Sequence, residues 1–217
     1  MTAPATPTDT SASTAPALWV VRHAAPRIAP GTCYGMLDVP ADPHATQAAA
    51  QQLAAQLPQA AVAWHSPLQR CEQLALDLQA LQPDFTSTAD ARLCEMDFGR
   101  WEGRLWSDIE RSEIDTWTQD FAHYRPGQGE NLAAMLQRVS AALDDAAQHL
   151  MQGTPVVWIS HAGVARCVSW LAQCGSLGAA LKARSEQWPT AAPGFGGWQA
   201  FWLDKETQSW RAAPQKG

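Results

Sequence analysis

The sequence lacks the cysteine and histidine patterns that build disulfide frameworks and metal sites. Its five cysteines are an odd number, and none of them forms a C-x-x-C pair. Disulfide-rich domains and structural zinc sites need such sets. His23, His65 and His161 could bind a metal in principle, but no His-x-His, His-x-x-x-His or Asp-rich cluster occurs. We therefore expect no metal, no cofactor and a reducing, cytoplasmic location.

Basic runs and long apolar stretches are also missing. The net charge is −6, and no Lys/Arg-rich segment offers a surface for nucleic acid. No stretch reaches the roughly 18 apolar residues of a membrane span, so we expect neither nucleic acid nor membrane as a partner. Residues 1–16 are rich in Thr, Ala, Pro and Ser and lack the regions of a secretory signal. We predict that they form a disordered tail.

The remaining sequence alternates short apolar segments with helical patterns. The apolar segments predict strands, and the longer periodic segments predict helices. The strands are predicted at 18–21, 61–64, 85–93, 156–159 and 198–203, and the helices at 43–57, 68–81, 131–151 and from Val164 onward. This alternation predicts an α/β fold, a three-layer sandwich with a mostly parallel central sheet and helices on both faces.

Residues 99–130 differ from the rest because they are rich in Trp and in charged residues. We predict that they form a small cap of short helices inserted into one domain that spans residues 17–217. Trp106 and Trp117 in this cap could stack on a substrate ring or form the core of the cap.

Two helices carry start signals. Asp42-Pro43 places an N-cap residue before proline at the first helical position. Ser66 and Gln69 have the spacing of a capping box. In a helix capped by Ser66, Arg70 would lean back toward the preceding strand, beside a helix N-terminus that favours phosphate.

Polar side chains of catalytic types follow four predicted strands. They are Arg22-His23, residues 66–70, Glu95 and Ser160-His161. In open α/β sheets, ligands bind outside the carboxyl ends of the strands. If the strands are parallel neighbours, these side chains converge on one crevice.

The chemistry of these residues suits phosphoryl transfer. A neutral His23 can act as a nucleophile near pH 7, and the adjacent Arg22 can balance phosphate charge with a bidentate fork. A protonated His161 could stabilise charge on the phosphate oxygens, and Gly163 would let the backbone approach a ligand. Each residue also has a purely structural explanation when it is taken alone.

Glu95 lies among Leu93, Met96 and Phe98. A carboxyl group in apolar surroundings keeps its proton and can donate it. It could protonate a leaving oxygen and later deprotonate water. Ser66 and Ser160 lack the Gly-x-Ser-x-Gly context of a serine nucleophile, and we interpret them as caps.

Together, the four segments resemble the motifs of the histidine phosphatase superfamily, in the same order over residues 18–175. Arg22-His23-Ala24 is similar to its Arg-His-Gly signature, and residues 66–70 (Ser-Pro-Leu-Gln-Arg) are similar to its second phosphate-binding motif. Residues 93–95 with 98–103 resemble its acid-donor motif, and residues 160–163 resemble the motif of its second catalytic histidine.

The resemblance implies a role for each residue. His23 would be the nucleophile, Glu95 the proton donor, and Arg22, Arg70 and His161 the phosphate-binding groups. It also implies a phosphoglycerate-mutase-like α/β sandwich and phosphomonoester hydrolysis through phosphohistidine, without metal.

The sequence departs from the family at several positions. Ala24 replaces the signature Gly, and Pro26 and Ala29 stand where Thr and Asn are frequent. Residues 126–131 carry one residue more than the family's Pro-Gly-Gly-Glu-Ser segment. These differences bear on substrate and rate more than on the central chemistry.

Residues 33–40 and the acid motif are most similar to those of α-ribazole phosphatases, which remove the 5′-phosphate of α-ribazole phosphate in cobalamin synthesis. A broad-specificity phosphatase with similar loops is an equal alternative. A phosphoglycerate mutase and a non-catalytic phospholigand-binding module are further alternatives. The expected partner is a small-molecule phosphomonoester, and the oligomeric state stays open, a homodimer included.

Overall fold

The computed structural model describes residues 16–212. The predicted tail therefore lies outside the described residues, apart from Pro16. Within the described range, six strands form one sheet in the order β3-β2-β4-β1-β5-β6. The strands are β1 (Ala17–Arg22), β2 (Val62–His65), β3 (Ser87–Ala89), β4 (Val156–Ser160), β5 (Trp198–Leu203) and β6 (Trp210–Ala212).

The first four strands in chain order are parallel to one another. β1 and β2 both pair with β4, and β2 pairs with β3. The two last strands are antiparallel, β5 to β1 and β6 to β5. Every residue of β4 is buried, as expected for a strand covered on both faces. The prediction of a mostly parallel sheet is confirmed.

Helices cover both faces of the sheet. They are α1 (Pro43–Ala54), α2 (Gln69–Leu81), α3 (Arg111–Gln119), α4 (Leu132–Met151), α5 (Ala162–Cys174) and α6 (Leu177–Ala180). Val156 and Trp158 pack into one core with α4 and α5, whereas Val157 and Ile159 pack into a second core with α1 and α2. Alternate residues of β4 thus face opposite layers. This arrangement is the predicted three-layer sandwich.

The register between β1 and β4 positions the two histidines. Arg22 lies opposite Ser160, and the His23 backbone N–H donates to the Ser160 carbonyl at 3.0 Å. The chain therefore leaves both strands at the same level, so His23 and His161 become neighbours.

Residues 99–130 contain α3 and three short 3₁₀ helices, Gly99–Trp101, Trp106–Asp108 and Pro126–Gln128. These are the short helices expected for the cap, while the prediction of one domain over residues 17–217 stays a prediction. No helix in the described part of the chain has both the length and the apolar character needed to cross a bilayer.

Several element boundaries differ from the prediction. α1 ends at Ala54, and β3 is only three residues long before a 3₁₀ helix at Ala91–Leu93. α6 and β6 were not predicted because elements of three or four residues have no measurable periodicity.

The predicted capping box at Ser66 is wrong. α2 begins at Gln69 after an extended Leu68, so Ser66 lies too far before the first turn to cap it. The Gln69 backbone N–H instead donates to the Asp38 carboxylate at 2.8 Å. Ser66 Oγ lies 2.8 Å from Nε2 of His161, and Ser160 Oγ donates to the Leu93 carbonyl. Both serines thus join loops around the strand ends, and neither caps a helix.

The predicted cap at Asp42 is confirmed, since its carboxylate accepts the Ala45 backbone N–H at 2.9 Å. Asp42→Ala should lower the free energy of unfolding by about 1 kcal/mol, because that N–H loses its acceptor. Asp42→Asn keeps an acceptor oxygen and should change stability little. Urea denaturation of the three proteins measures the difference, and equal losses in both variants would contradict the cap.

Candidate functional site

His23 is held in one orientation directly after β1. Its Nδ1 lies 2.7 Å from the Ala24 carbonyl, which can only accept, so Nδ1 carries the proton and Nε2 keeps a lone pair. This bond involves backbone, so the Ala24 replacement leaves it intact. Burial, followed by the charges of Arg70 and Arg22, lowers the pKa of His23 to about 3. The imidazole is therefore neutral at pH 7.

His161 lies beside His23 after β4, with ring centroids 5.1 Å apart. Burial lowers its pKa well below the usual value, and His23 and Arg70 add to this effect. The protonated His161 expected from the sequence is thus wrong for the free protein. The reason is that burial disfavours the charged imidazole, and the neighbouring positive charges oppose it further. Nε2 of His161 contacts Ser66 Oγ at 2.8 Å and Cys71 Sγ at 3.5 Å.

Arg70 is completely buried in the first turn of α2. Its Nη1 donates to the Leu37 carbonyl at 2.9 Å, and its Nη2 donates to the Gly35 carbonyl at 2.6 Å. The guanidinium therefore ties the loop of residues 33–38 to the strand ends.

Arg22 is held by the segment before β5. Its Nη1 donates to the Pro193 carbonyl at 3.0 Å, and its guanidinium carbon lies 3.8 Å from the centre of the Phe195 ring. Phe195 also lies beside His23, at 5.7 Å between ring centroids. A single Phe in a loop rich in Gly and Pro carries no sequence pattern, so the prediction missed it.

One buried nitrogen of each arginine lacks a hydrogen-bond partner. Nε of Arg22 and Nε of Arg70 are buried and have no hydrogen-bond partner among residues 16–212. A buried N–H without an acceptor costs free energy, and more so on a charged group. An anion that reached both Nε atoms would accept these hydrogen bonds, as a phosphate group does.

Glu95 reaches the same region from the loop after the 3₁₀ helix Ala91–Leu93. Its two carboxylate oxygens accept the backbone N–H groups of Met96, at 3.0 Å, and Gly163, at 2.9 Å. The surroundings are thus more polar than the sequence suggested. Any Cβ at position 163 would overlap Oε1 of Glu95, so the contact requires glycine.

Arg138 on α4 was missed by the sequence analysis. Its guanidinium bonds to the carbonyls of Arg92, Cys94 and Glu95 and forms a bidentate ion pair with Glu130. The available signal was weak, since it consisted of one basic residue next to Val139 on the otherwise apolar face of a helix.

A cavity of about 520 Å³ extends from Arg22 and Glu95 toward the cap. We call it the aromatic cavity after five of its lining residues, Phe98, Trp106, Trp117, Phe121 and Trp188. The rings of Trp106 and Trp117 are stacked, with centroids 6.4 Å apart and planes at 11°. Trp117 Nε1 is buried and has no hydrogen-bond partner in the described part of the chain. The two tryptophans singled out from the sequence therefore line the same cavity.

Among residues 16–212, no three His, Cys, Asp or Glu side chains are grouped so that they could hold a metal ion. His65, one of the candidate ligands, instead contacts Ser87 Oγ through Nδ1 at 2.9 Å. The five cysteines carry no disulfide.

Comparisons with known proteins identify a family and structures with a similar fold. Residues 18–187 match the sequence model of the histidine phosphatase superfamily (branch 1). No curated protein matches the chain. Among solved structures, the protein TTHB049 from Thermus thermophilus is 27% identical, with a TM-score of 0.61 and coverage of 85% of this chain and 92% of that chain.

Two more distant structures share the fold. One is provisionally assigned as an alpha-ribazole-5'-P phosphatase of Escherichia coli K-12, with 22% identity, a TM-score of 0.73 and coverage of 92% of this chain and 95% of that chain. The other is the mycobacterial glucosyl-3-phosphoglycerate phosphatase, with 21% identity, a TM-score of 0.71 and coverage of 91% and 96%.

The lowered pKa of His23 predicts how stability depends on pH. The folded-state pKa of about 3 lies below the unfolded value of 6.5, so the unfolded chain binds the proton first as pH falls. The stability from a neutral His23 is therefore complete above pH 6.5 and is lost progressively toward pH 3. Between about pH 7.5 and 5.5, His23→Asn should lose about 1 kcal/mol less free energy of unfolding than the wild type.

Urea denaturation at a series of pH values measures this difference. The circular dichroism spectrum of His23→Asn should match that of the wild type at pH 7.5. Parallel pH profiles for the two proteins would contradict a buried, neutral His23.

Proposed function

Because the chain belongs to the histidine phosphatase superfamily and is a phosphoric monoester hydrolase of that type, we propose that it cleaves small phosphomonoesters without a metal ion, through a phosphohistidine on His23. One observation carries this proposal. A neutral His23 with a free Nε2 lone pair lies beside Arg22 and Arg70, whose buried Nε donors lack acceptors among the described residues. A phosphate dianion bound there would satisfy both donors and face the nucleophile.

In the first step, Nε2 of His23 attacks phosphorus and the bond from phosphorus to the ester oxygen breaks. Glu95 transfers its proton to the departing alkoxide, so the alcohol leaves neutral. Arg22 and Arg70 bind the other phosphate oxygens and balance their charge, and His161 binds a phosphate oxygen as a hydrogen-bond donor. In the second step, water attacks the phosphohistidine, Glu95 takes the proton of this water, and the bond between phosphorus and Nε2 breaks to release inorganic phosphate.

Rapid quench with ³²P-labelled substrate tests the intermediate. The wild type should carry label that is stable in alkali and labile in acid, and His23→Asn should carry none and lose turnover. With p-nitrophenyl phosphate, Glu95→Gln should accumulate this label, because its leaving group needs no proton while hydrolysis still needs the base. Label on His23→Asn would disprove the mechanism. Turnover by the wild type with no label on the wild type or on Glu95→Gln would also disprove it.

For the substrate, we propose an alcohol that carries a planar apolar ring, with α-ribazole 5′-phosphate as the first candidate. The aromatic cavity supports this choice because it starts at Arg22 and Glu95 and offers stacked Trp rings. The buried Trp117 Nε1 could donate to a ring nitrogen of the ligand. The similarity of residues 33–40 to α-ribazole phosphatases adds support, and so does the provisional assignment of the Escherichia coli structure.

Trp117→Ala should raise KM for α-ribazole 5′-phosphate by about tenfold, because stacking of one base on an aromatic ring contributes about 1–3 kcal/mol. KM for ribose 5-phosphate, which lacks the ring, should hardly change. Trp202→Ala removes a partly exposed Trp on β5, outside the cavity, and serves as the matched control.

The same assays separate the alternative functions. Equal kcat/KM for ringless sugar phosphates and for α-ribazole 5′-phosphate would indicate a broad-specificity phosphatase. Isomerised phosphoglycerate without free phosphate would indicate a mutase. Binding without any turnover would indicate a phospholigand-binding module.

A further inference from the structure

We propose that Arg138 is a positioning residue for Glu95 and that it acts through the backbone of the loop that carries this carboxylate. The inference rests on the proposed function, in which Glu95 is the proton donor. It explains why a charged side chain lies mostly buried on α4, with 19% of its surface exposed.

The geometry uses every donor of the guanidinium. Nη1 donates to the carbonyls of Arg92 and Cys94, each at 2.7 Å, and Nη2 donates to the carbonyl of Glu95 at 3.2 Å. Nε and Nη2 donate to the two carboxylate oxygens of Glu130 at 2.7 and 2.8 Å. These contacts account for all five N–H groups of an arginine.

Glu130 fixes the direction of this guanidinium. Its side chain is also mostly buried, with 17% of its surface exposed, and its backbone N–H donates to the Asp97 carbonyl at 2.7 Å. The bidentate pair therefore links the chain before α4 to both sides of the Glu95 loop. A lysine could supply the charge of Arg138 but lacks the planar fork that reaches these acceptors together.

Glu95 is thus held at both ends. Arg138 holds its carbonyl, and the backbone N–H of Gly163 holds its carboxylate. Because this loop carries the carboxyl group, a shift of its backbone would move the group away from the leaving oxygen, and a 1 Å misplacement can cost about 100-fold in rate. Arg138 does not line the aromatic cavity, so it acts on Glu95 rather than on the substrate.

The test compares two leaving groups. An alkyl phosphate such as glycerol 1-phosphate needs a proton on its leaving oxygen, whereas p-nitrophenyl phosphate does not. Arg138→Met should lower kcat/KM for the alkyl ester by about 10- to 100-fold and for p-nitrophenyl phosphate by less than about threefold. The kcat/KM value includes only the steps up to release of the alcohol. Glu95→Gln should show the same selectivity, with a larger loss for the alkyl ester.

Arg92→Met is the matched control. Arg92 also ties this loop to α4, through Asp145 and the Ala141 carbonyl, but it does not bond to the carbonyls of residues 92–95. Arg92→Met should lower kcat/KM only slightly, and by the same factor for both substrates. Arg138→Lys and Glu130→Gln keep the size of their side chains and should show milder forms of the same selective loss, which keeps the test informative if Arg138→Met fails to fold.

Each outcome has one meaning. If the Arg138 and Glu130 variants lose kcat/KM equally on both substrates, Arg138 has a structural role and the positioning role is overturned. A selective loss in Glu95→Gln alone would overturn the role of Arg138 and leave the proposed function standing. The absence of selectivity in Glu95→Gln would show that the proposed proton donor itself is wrong.

Discussion

The parallel pairing of β1 with β4, in the register that sets Arg22 opposite Ser160, determines where the reactive groups lie. This register makes His23 and His161 neighbours because each follows its strand directly. β2 pairs with the other edge of β4 and ends at His65. The chain then enters α2, whose first turn contains Arg70. Three adjacent strands thus end at one edge of the sheet, and a slip in any pairing would separate the groups.

The same convergence places like charges close together, which is electrostatically unfavourable. Arg22 and Arg70 concentrate positive charge beside two imidazoles, and all four groups are shielded from water to a large extent. The ion pairs found in the described part of the chain do not include either arginine, whereas Arg138 has a carboxylate partner in Glu130. The site therefore stores unfavourable free energy that an incoming dianion can relieve, which is the preorganisation that charge stabilisation in catalysis requires.

Much of the fold could be predicted from short-range patterns. The strand at 198–203 and the Asp42 cap follow from local signals, and both match the structure. The Ser66 capping box failed because an extended Leu68 delays the helix, and this depends on the bond between Gln69 and the distant Asp38. Arg138 could not be recognised for the same reason, since the three carbonyls that it binds lie more than 40 positions away in the chain.

Among the candidate site residues, too, those marked by a local signal could be predicted and those that depend on distant contacts could not. His23, Arg22 and His161 could be placed because each is adjacent in sequence to an apolar strand. The neutral state of His161 could not be predicted, because it depends on how deeply the folded chain buries the ring and on charges from other elements, such as Arg70. The aromatic cavity likewise combines the cap with Trp188, which lies far along the chain. The roles assigned to these residues remain predictions that the experiments above address.

The close contact between Gly163 and Glu95 restricts how this protein can evolve. Every single-base change that replaces a glycine introduces a Cβ, and at position 163 that atom would occupy the space of the Glu95 carboxylate. A substitution at position 163 would therefore force the Glu95 carboxylate out of its present position and away from the Gly163 N–H, so we expect changes at these two positions to be coupled. Gly163 itself lines the aromatic cavity, so this part of the wall is restricted, whereas Trp106, Trp117 and Trp188 can be replaced as the protein diversifies toward new substrates.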